Sequence, residues 1–280
     1  MKRLPLVLLI VLVACQQTQP KRQEDAVYSR HLQRKVALTI IHSPLPDDKN
    51  QVNLLLLNDG QDIDQMRLVP LLDSLYAAGR LQPLVVVAIH AGDRMQEYGI
   101  ADRPDFMKRG SKAKHYNDFV DNELMPFIKK QSGIRKFKSV AIAGWSLGGL
   151  SAFDIAWNNS NKIDKAGIFS GSFWWRDKDS NDSSYSDEKN RIILAKMRAA
   201  RKKPDTQFWF MSGSLEESSD RDKDGIIDVQ DDIEDLRFLL MERGLVSKEN
   251  LPYTIDKLGK HDMATWSRNL PDFLIWAFGK

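Results

Sequence analysis

Two hydrophobic periods divide the chain into strands and helices. Near-continuous apolar runs at 52–57, 84–89 and 139–143 read as strands buried on both faces, since a strand covered on one side only would alternate. Residues 26–32 and 36–42 read as two antiparallel strands joined by a turn. Residues 43–51, with two prolines and two aspartates, read as a loop. Helical spacing marks 66–78 through Leu68, Leu71, Leu72 and Leu75, interrupted by Pro70. It marks 116–130 through Phe119, Leu124, Phe127 and Ile128. Further on, strands are expected at 165–170, 207–211 and 252–255, with helices at 187–201, 233–243 and 263–278. Strands that alternate with helices after an initial hairpin imply a mostly parallel sheet with helices on both faces, an α/β architecture. One domain, 26–280, is expected.

The pattern centres on Gly144-Trp145-Ser146-Leu147-Gly148-Gly149, where the run 139–143 ends and a small-residue helical stretch begins. A G-x-S-x-G in a strand–turn–helix setting is a nucleophile elbow: the turn is so tight that a Cβ beside the serine would strike the adjacent strand or helix. The following helix points its positive end at the site. A serine hydroxyl needs a base, and imidazole suits neutral pH. In such folds the acid and then the histidine follow the nucleophile. Of five histidines, His31, His42, His90 and His115 precede Ser146 and only His261 follows it. The acid should follow the strand 207–211. Glu216 is the first choice, with Glu217 and Asp220 as alternatives. Two backbone amides should form an oxyanion hole, that of Leu147 after the nucleophile and that of Gln61 in the Asn58-Asp59-Gly60-Gln61 turn.

Composition narrows the class. Hydrophobic residues make up 42% and charged residues 28%, as in a globular protein, and a net charge of +3 with no basic stripe argues against a nucleic-acid partner. Met1-Lys2-Arg3 followed by the apolar stretch 4–13 reads as a secretory leader too short to span a bilayer. Its end, Leu12-Val13-Ala14-Cys15, resembles the lipobox of bacterial lipoproteins. That resemblance implies a signal peptide at 1–14, lipidation of Cys15, a polar tether at 15–25, and a lipid-anchored place in the cell envelope, at the outer membrane or periplasmic face. Cys15 is the only cysteine, so no intramolecular disulfide can form.

Residues 220–231 fit a calcium loop. Asp220, Asp222 and Asp224 fall at positions 1, 3 and 5, Gly225 at 6, the Ile226 carbonyl at 7, Asp228 at 9 and Asp231 at 12. Aspartate rather than glutamate at position 12 makes it resemble dockerin-type loops. A structural calcium ion is expected there, stiffening the segment that presents the acid. Catalysis itself calls for no cofactor.

The elbow, the Asp59-Gly60-Gln61 turn, Arg94-Met95-Gln96-Glu97-Tyr98, Ser170-Gly171-Ser172-Phe173-Trp174-Trp175 and His261 followed by Trp266 resemble the esterase family of α/β hydrolases. That family includes enterochelin-type siderophore esterases, S-formylglutathione hydrolases, feruloyl and acetyl-xylan esterases and mycolyltransferases. The resemblance spans roughly 27–279 and implies an α/β-hydrolase fold and a serine carboxylesterase. It also implies that Trp145, Trp174 and Trp175 wall the substrate pocket. Arg94 is expected either to pair with Glu97 or to meet an anionic substrate. An oligosaccharide or small-molecule ester is expected as substrate, with an acyl group on a carbohydrate ahead of a siderophore ester. A non-catalytic, calcium-dependent binding lipoprotein is the reading of another class.

Overall fold

The computed structural model describes residues 20–221 and 223–280. The leader, Cys15, the first part of the tether and Asp222 lie outside the described residues. Eight strands form one sheet: β1 (Lys21–Ser29), β2 (Arg34–His42), β3 (Asn53–Leu57), β4 (Leu84–Ile89), β5 (Val140–Trp145), β6 (Lys165–Phe169), β7 (Gln207–Gly213) and β8 (Tyr253–Asp256). Their order is β1-β2-β4-β3-β5-β6-β7-β8. β2 pairs antiparallel with both β1 and β4, and the other pairings are parallel. Parallel neighbours need crossovers, and helices supply them while covering both faces.

The helices are α1 (Leu68–Ala77), α2 (Arg94–Glu97), α3 (Ala113–Phe119), α4 (Met125–Ser132), α5 (Leu147–Asn158), α6 (Asp187–Asn190), α7 (Ile192–Ala199), α8 (Asp228–Glu242) and α9 (Met263–Phe278). The two-residue strand period splits the core in two. Leu54, Leu56, Val85 and Val87 join Phe119, Ile128, Phe153, Ile193 and Leu236 on one face. Leu55, Leu57, Val86 and Ala88 join Leu68, Leu72, Leu270, Phe273 and Leu274 on the other. Each such side chain contributes about 1.5–3 kcal/mol by leaving water, so β3 and β4 are anchored from both sides. Among the described residues no helix is long and apolar enough to cross a membrane.

Besides shifts of one to three residues at element ends, four larger differences from the sequence pattern have physical reasons. β1 begins at Lys21, inside the stretch expected to be tether. Its first residues are polar and exposed, and nine-residue pairing with β2 holds them without any apolar period. The helix expected at 116–130 is α3 and α4 joined by a π-helical turn, Val120–Leu124. Pro126 follows at once, and the wider turn relieves its clash with the preceding carbonyls. The helix expected at 187–201 breaks at extended Arg191, whose buried guanidinium pairs with Asp232 and Asp235. α8 starts at Asp228, five residues before the expected 233, because its first turn carries aspartates rather than apolar residues. Pro70 does not interrupt α1: it sits in the first turn, where no intrahelical N–H bond is lost.

Candidate active site

β5 lies between β3 and β6, so the segments leaving the carboxyl ends of β3, β5, β6 and β7 converge, the usual place for a ligand in an open α/β sheet. Ser146 sits at the turn from β5 to α5 with φ 54 and ψ −124, a backbone conformation that non-glycine residues rarely adopt. Four backbone bonds hold it there. Its N–H donates to the Phe169 carbonyl at 2.9 Å, and its carbonyl accepts from Gly149 N at 3.0 Å, Leu150 N at 3.1 Å and Ser172 N at 3.2 Å. Gly144 has to be glycine, because a Cβ there would lie 2.5 Å from the Gly148 carbonyl oxygen.

His261 lies in the loop between β8 and α9, where Asp262 caps α9 by accepting from Thr265 N at 2.8 Å. Its Nε2 is 3.0 Å from Ser146 Oγ, and its Nδ1 is 2.7 Å from Glu216 Oε2. The imidazole is 40% exposed while the Glu216 carboxylate is 1% exposed, so the ring meets solvent and its partner does not. Glu216 Oε1 accepts from Ser170 Oγ at 2.6 Å and from Gly213 N. Ser170 Oγ in turn accepts from Trp266 Nε1 at 2.8 Å. The loop that carries His261 is pressed onto the end of β7: Leu215 N donates to the Gly259 carbonyl at 2.8 Å, and a Cβ on Gly213 would lie 2.2 Å from that oxygen.

The alternatives to Glu216 have other partners. Glu217 Oε1 accepts from Val229 N at the start of α8, and burial pushes its carboxyl up despite that bond. Asp220 accepts from Asp224 N and Gly225 N within its own loop.

The Asn58–Gln61 turn is tied to the elbow. Asn58 N donates to Ala143 O at 2.9 Å and Asn58 Nδ2 to Gly148 O at 2.8 Å. Leu147 is the first residue of α5 and Gln61 the second of a 3-10 turn, positions whose N–H groups have no intrahelical acceptor. The Gln61 side chain is turned to Asp59 and Ala91. Arg94 does not pair with Glu97. It grips buried Asp59 with two bonds of 2.8 and 2.9 Å, while Glu97 pairs with Arg34. Asp59 N–H also donates to the Tyr98 hydroxyl oxygen at 2.9 Å, and the Tyr116 hydroxyl donates to Asn58 Oδ1 at 2.8 Å. Both tyrosines are fully buried, which raises their hydroxyls above the usual range. Hydrophobic periodicity gives no sign of this support, because it depends on side chains brought together from the turn after β3, from α2 and its C-terminal end, and from α3.

The expected aromatic wall is mostly core. Trp145 is 1% exposed, stacks on Trp266 at 6.1 Å and donates to Asp62. Trp175 is fully buried and donates to Arg103 O. Both rings are enclosed by protein, so neither walls a pocket. Trp174 alone is half-buried, with the Arg109 and Arg176 guanidiniums 5.4 and 6.0 Å from its ring centre.

In the loop 220–231, Gly225 makes the sharp turn at φ +92, and Ile226 N donates to Asp224 Oδ1. Asp228 is engaged by Arg221, through its backbone N–H at 2.8 Å and its guanidinium at 3.4 Å. Asp231 lies in the first turn of α8.

A buried carboxylate, an imidazole and a strained serine in series, on a mostly parallel eight-stranded sheet, define an α/β hydrolase. A family model described as "Putative esterase" matches residues 29–277, and the chain belongs to that family of ester hydrolases. An uncharacterized Bacillus subtilis protein, YbbA, is 26% identical over 232 residues, covering 80% of this chain and 84% of its own. The enterobactin esterase of Shigella flexneri superposes with a TM-score of 0.70 at 22% identity over 91% of this chain. This chain spans only 59% of that one. A ferulic acid esterase superposes with a TM-score of 0.66 at 18% identity, over 93% of this chain and 98% of its own. These two likenesses are of fold.

Proposed function

We propose that this chain is a serine carboxylesterase. Ser146 Oγ attacks the ester carbonyl carbon as its proton passes to His261 Nε2, and the tetrahedral oxyanion is held by the Leu147 and Gln61 amides. The carbon–oxygen bond to the alcohol breaks, the alcohol leaves with the proton from His261, and an acyl-Ser146 results. Water, giving its proton to His261, then cleaves the acyl bond and regenerates the serine. Glu216 holds the imidazole in the productive tautomer and stabilises its charged form. One observation carries the reading: the unbroken Ser146–His261–Glu216 series at 3.0 and 2.7 Å.

The substrate reading follows the tryptophans. With Trp145 and Trp175 in the core, Trp174 between two guanidiniums is the ring left to meet a substrate. It lies two residues beyond Ser172, whose N–H touches Ser146, within about 7 Å of chain. Such a surface suits an aromatic acyl group, phenolic or catecholic, better than acetyl. A feruloylated carbohydrate and a catecholate siderophore ester both carry one, and the likeness to an enterobactin esterase favours the second. Side by side, feruloyl esters and esters of N-(2,3-dihydroxybenzoyl)serine are expected to be hydrolysed with higher kcat/KM than acetyl esters of the same alcohol. Equal or reversed preference would remove Trp174 from the pocket.

The envelope address rests on the leader and Cys15. The mass of the mature N-terminal peptide tests it: a diacylated or triacylated Cys15 supports the anchor, and an unmodified N-terminus elsewhere rejects it. Calcium is proposed for the loop, held by Asp220, Asp222, Asp224, Asp228, Asp231 and the Ile226 carbonyl, where its charge would offset the carboxylates' repulsion. Arg221 already pairs with Asp228, so the ion must compete for it and should bind weakly. About 5 mM calcium is expected to raise the melting temperature by about 2–5 °C and chelator to reverse this. No shift in Tm with calcium at that level would discard the site.

A further inference from the structure

Away from Ser146, two imidazoles and a carboxylate meet on the surface. His31 lies in the turn between β1 and β2, while His115 and Asp118 lie on α3. One ligand atom from each lies within 4.8 Å of the other two. We propose that His31, His115 and Asp118 bind a divalent transition-metal ion of zinc's class.

The donor set selects the ion. Two neutral imidazole nitrogens and one carboxylate oxygen suit zinc, cobalt or nickel, whereas calcium and magnesium prefer all-oxygen ligands. Placement favours ligation as well. His115 and Asp118 are three residues apart on one helix, a spacing that puts both side chains on the same face. His31 comes from a separate element, so the ion would bridge the hairpin turn to α3. Tetrahedral zinc with bonds of about 2.0–2.1 Å needs ligand atoms roughly 3.4 Å apart. Closing from 4.8 Å therefore takes about 1 Å of side-chain movement, which exposed His115 and the half-exposed His31 and Asp118 can make. Three protein ligands leave a fourth position for water.

One group opposes the ion. Lys114 Nζ lies 3.0 and 2.9 Å from the two Asp118 oxygens, so lysine and metal compete for the same carboxylate. Metal would also reach the catalytic region indirectly. Tyr116, between the two helical ligands, supports Asn58 at the base of the turn that carries Gln61. An ion pinning α3 to the hairpin turn would stiffen that support.

Zinc alone, titrated calorimetrically into the untagged protein with calcium present to fill the 220–231 loop, tests the site. One saturable zinc site is expected. His31→Ala and His115→Ala should each weaken it about tenfold or more, as losing a ligand should exceed the 10–100-fold range's lower end for outer-shell partners. Lys114→Ala, which frees Asp118, should tighten it several-fold. All three residues are surface groups, so melting curves without zinc should match the parent protein. Absence of saturable binding, or equal affinity in the His31→Ala/His115→Ala double variant, overturns the proposal.

Discussion

Replacing Ser146 with alanine is expected to lower kcat/KM for p-nitrophenyl butyrate by roughly 10,000-fold to a million-fold, the range seen when a triad nucleophile is removed. Alanine keeps the Cβ and the backbone strain at φ 54, so the elbow should persist and the melting temperature should stay within a few degrees. What disappears is the oxygen 3.0 Å from His261 Nε2. Without it no acyl-enzyme can form, and hydrolysis falls back on water oriented by the remaining donors. His261→Ala should cost a similar factor, because a hydroxyl without its base is a poor nucleophile. The double variant should be little worse than either single one, since the residues act as a unit. A Ser146→Ala protein retaining more than a tenth of the parental rate would refute Ser146 as the nucleophile, whereas no hydrolysis by either folded protein would return weight to a binding role.

The parts of the site that sit on the main chain were the legible ones. Ser146 was readable because G-x-S-x-G follows an apolar run and precedes a helical one, and the strand–helix junction falls there. His261 was readable by elimination, since the chain order of the roles leaves one candidate. Glu216 was readable only as one of three acids, because the choice depends on where β7 ends. Gly213 closes against Gly259, and that contact aims residue 216 rather than 217 at the imidazole. Long-range pairing was hidden. Arg94 and Glu97 stand three apart on a helical turn and look like partners, yet each meets an opposite charge more than thirty residues away. Trp145 and Trp175 show the limit of aromatic composition as a signal: a large ring near a site is as well suited to closing the core behind it as to facing a substrate. Polar β1 was missed from Lys21 to Asp25 because an edge strand can be held by backbone bonds alone.

Glu216→Gln is expected to reduce kcat by about 1,000- to 10,000-fold with little change in KM, although it alters one atom and no volume. The cause is the direction of the hydrogen bonds. In the parent protein Oε1 accepts from Gly213 N–H and from the Ser170 hydroxyl, leaving Oε2 to accept from His261 Nδ1. Gly213 N–H can only donate. The Ser170 oxygen already accepts from Trp266 Nε1–H, which directs its own proton toward residue 216. A glutamine must therefore put its carbonyl oxygen where Oε1 was and its NH2 toward His261. Facing a donor, Nδ1 has to accept, and the ring proton moves to Nε2. That nitrogen then points a hydrogen at Ser146 Oγ and cannot take the hydroxyl's proton. The flipped amide would set two donors against its NH2 in a place 1% exposed, at a cost of about 1–3 kcal/mol or more. Glu217→Gln is the control: Glu217 accepts from Val229 N at the start of α8, so turnover should stay within about twofold while stability falls slightly, by the roughly 0.5–2 kcal/mol of a lost helix cap. Should Glu216→Gln keep kcat within tenfold of the parent while Glu217→Gln loses it, the orienting acid is Glu217, and the imidazole must turn during the reaction to reach it.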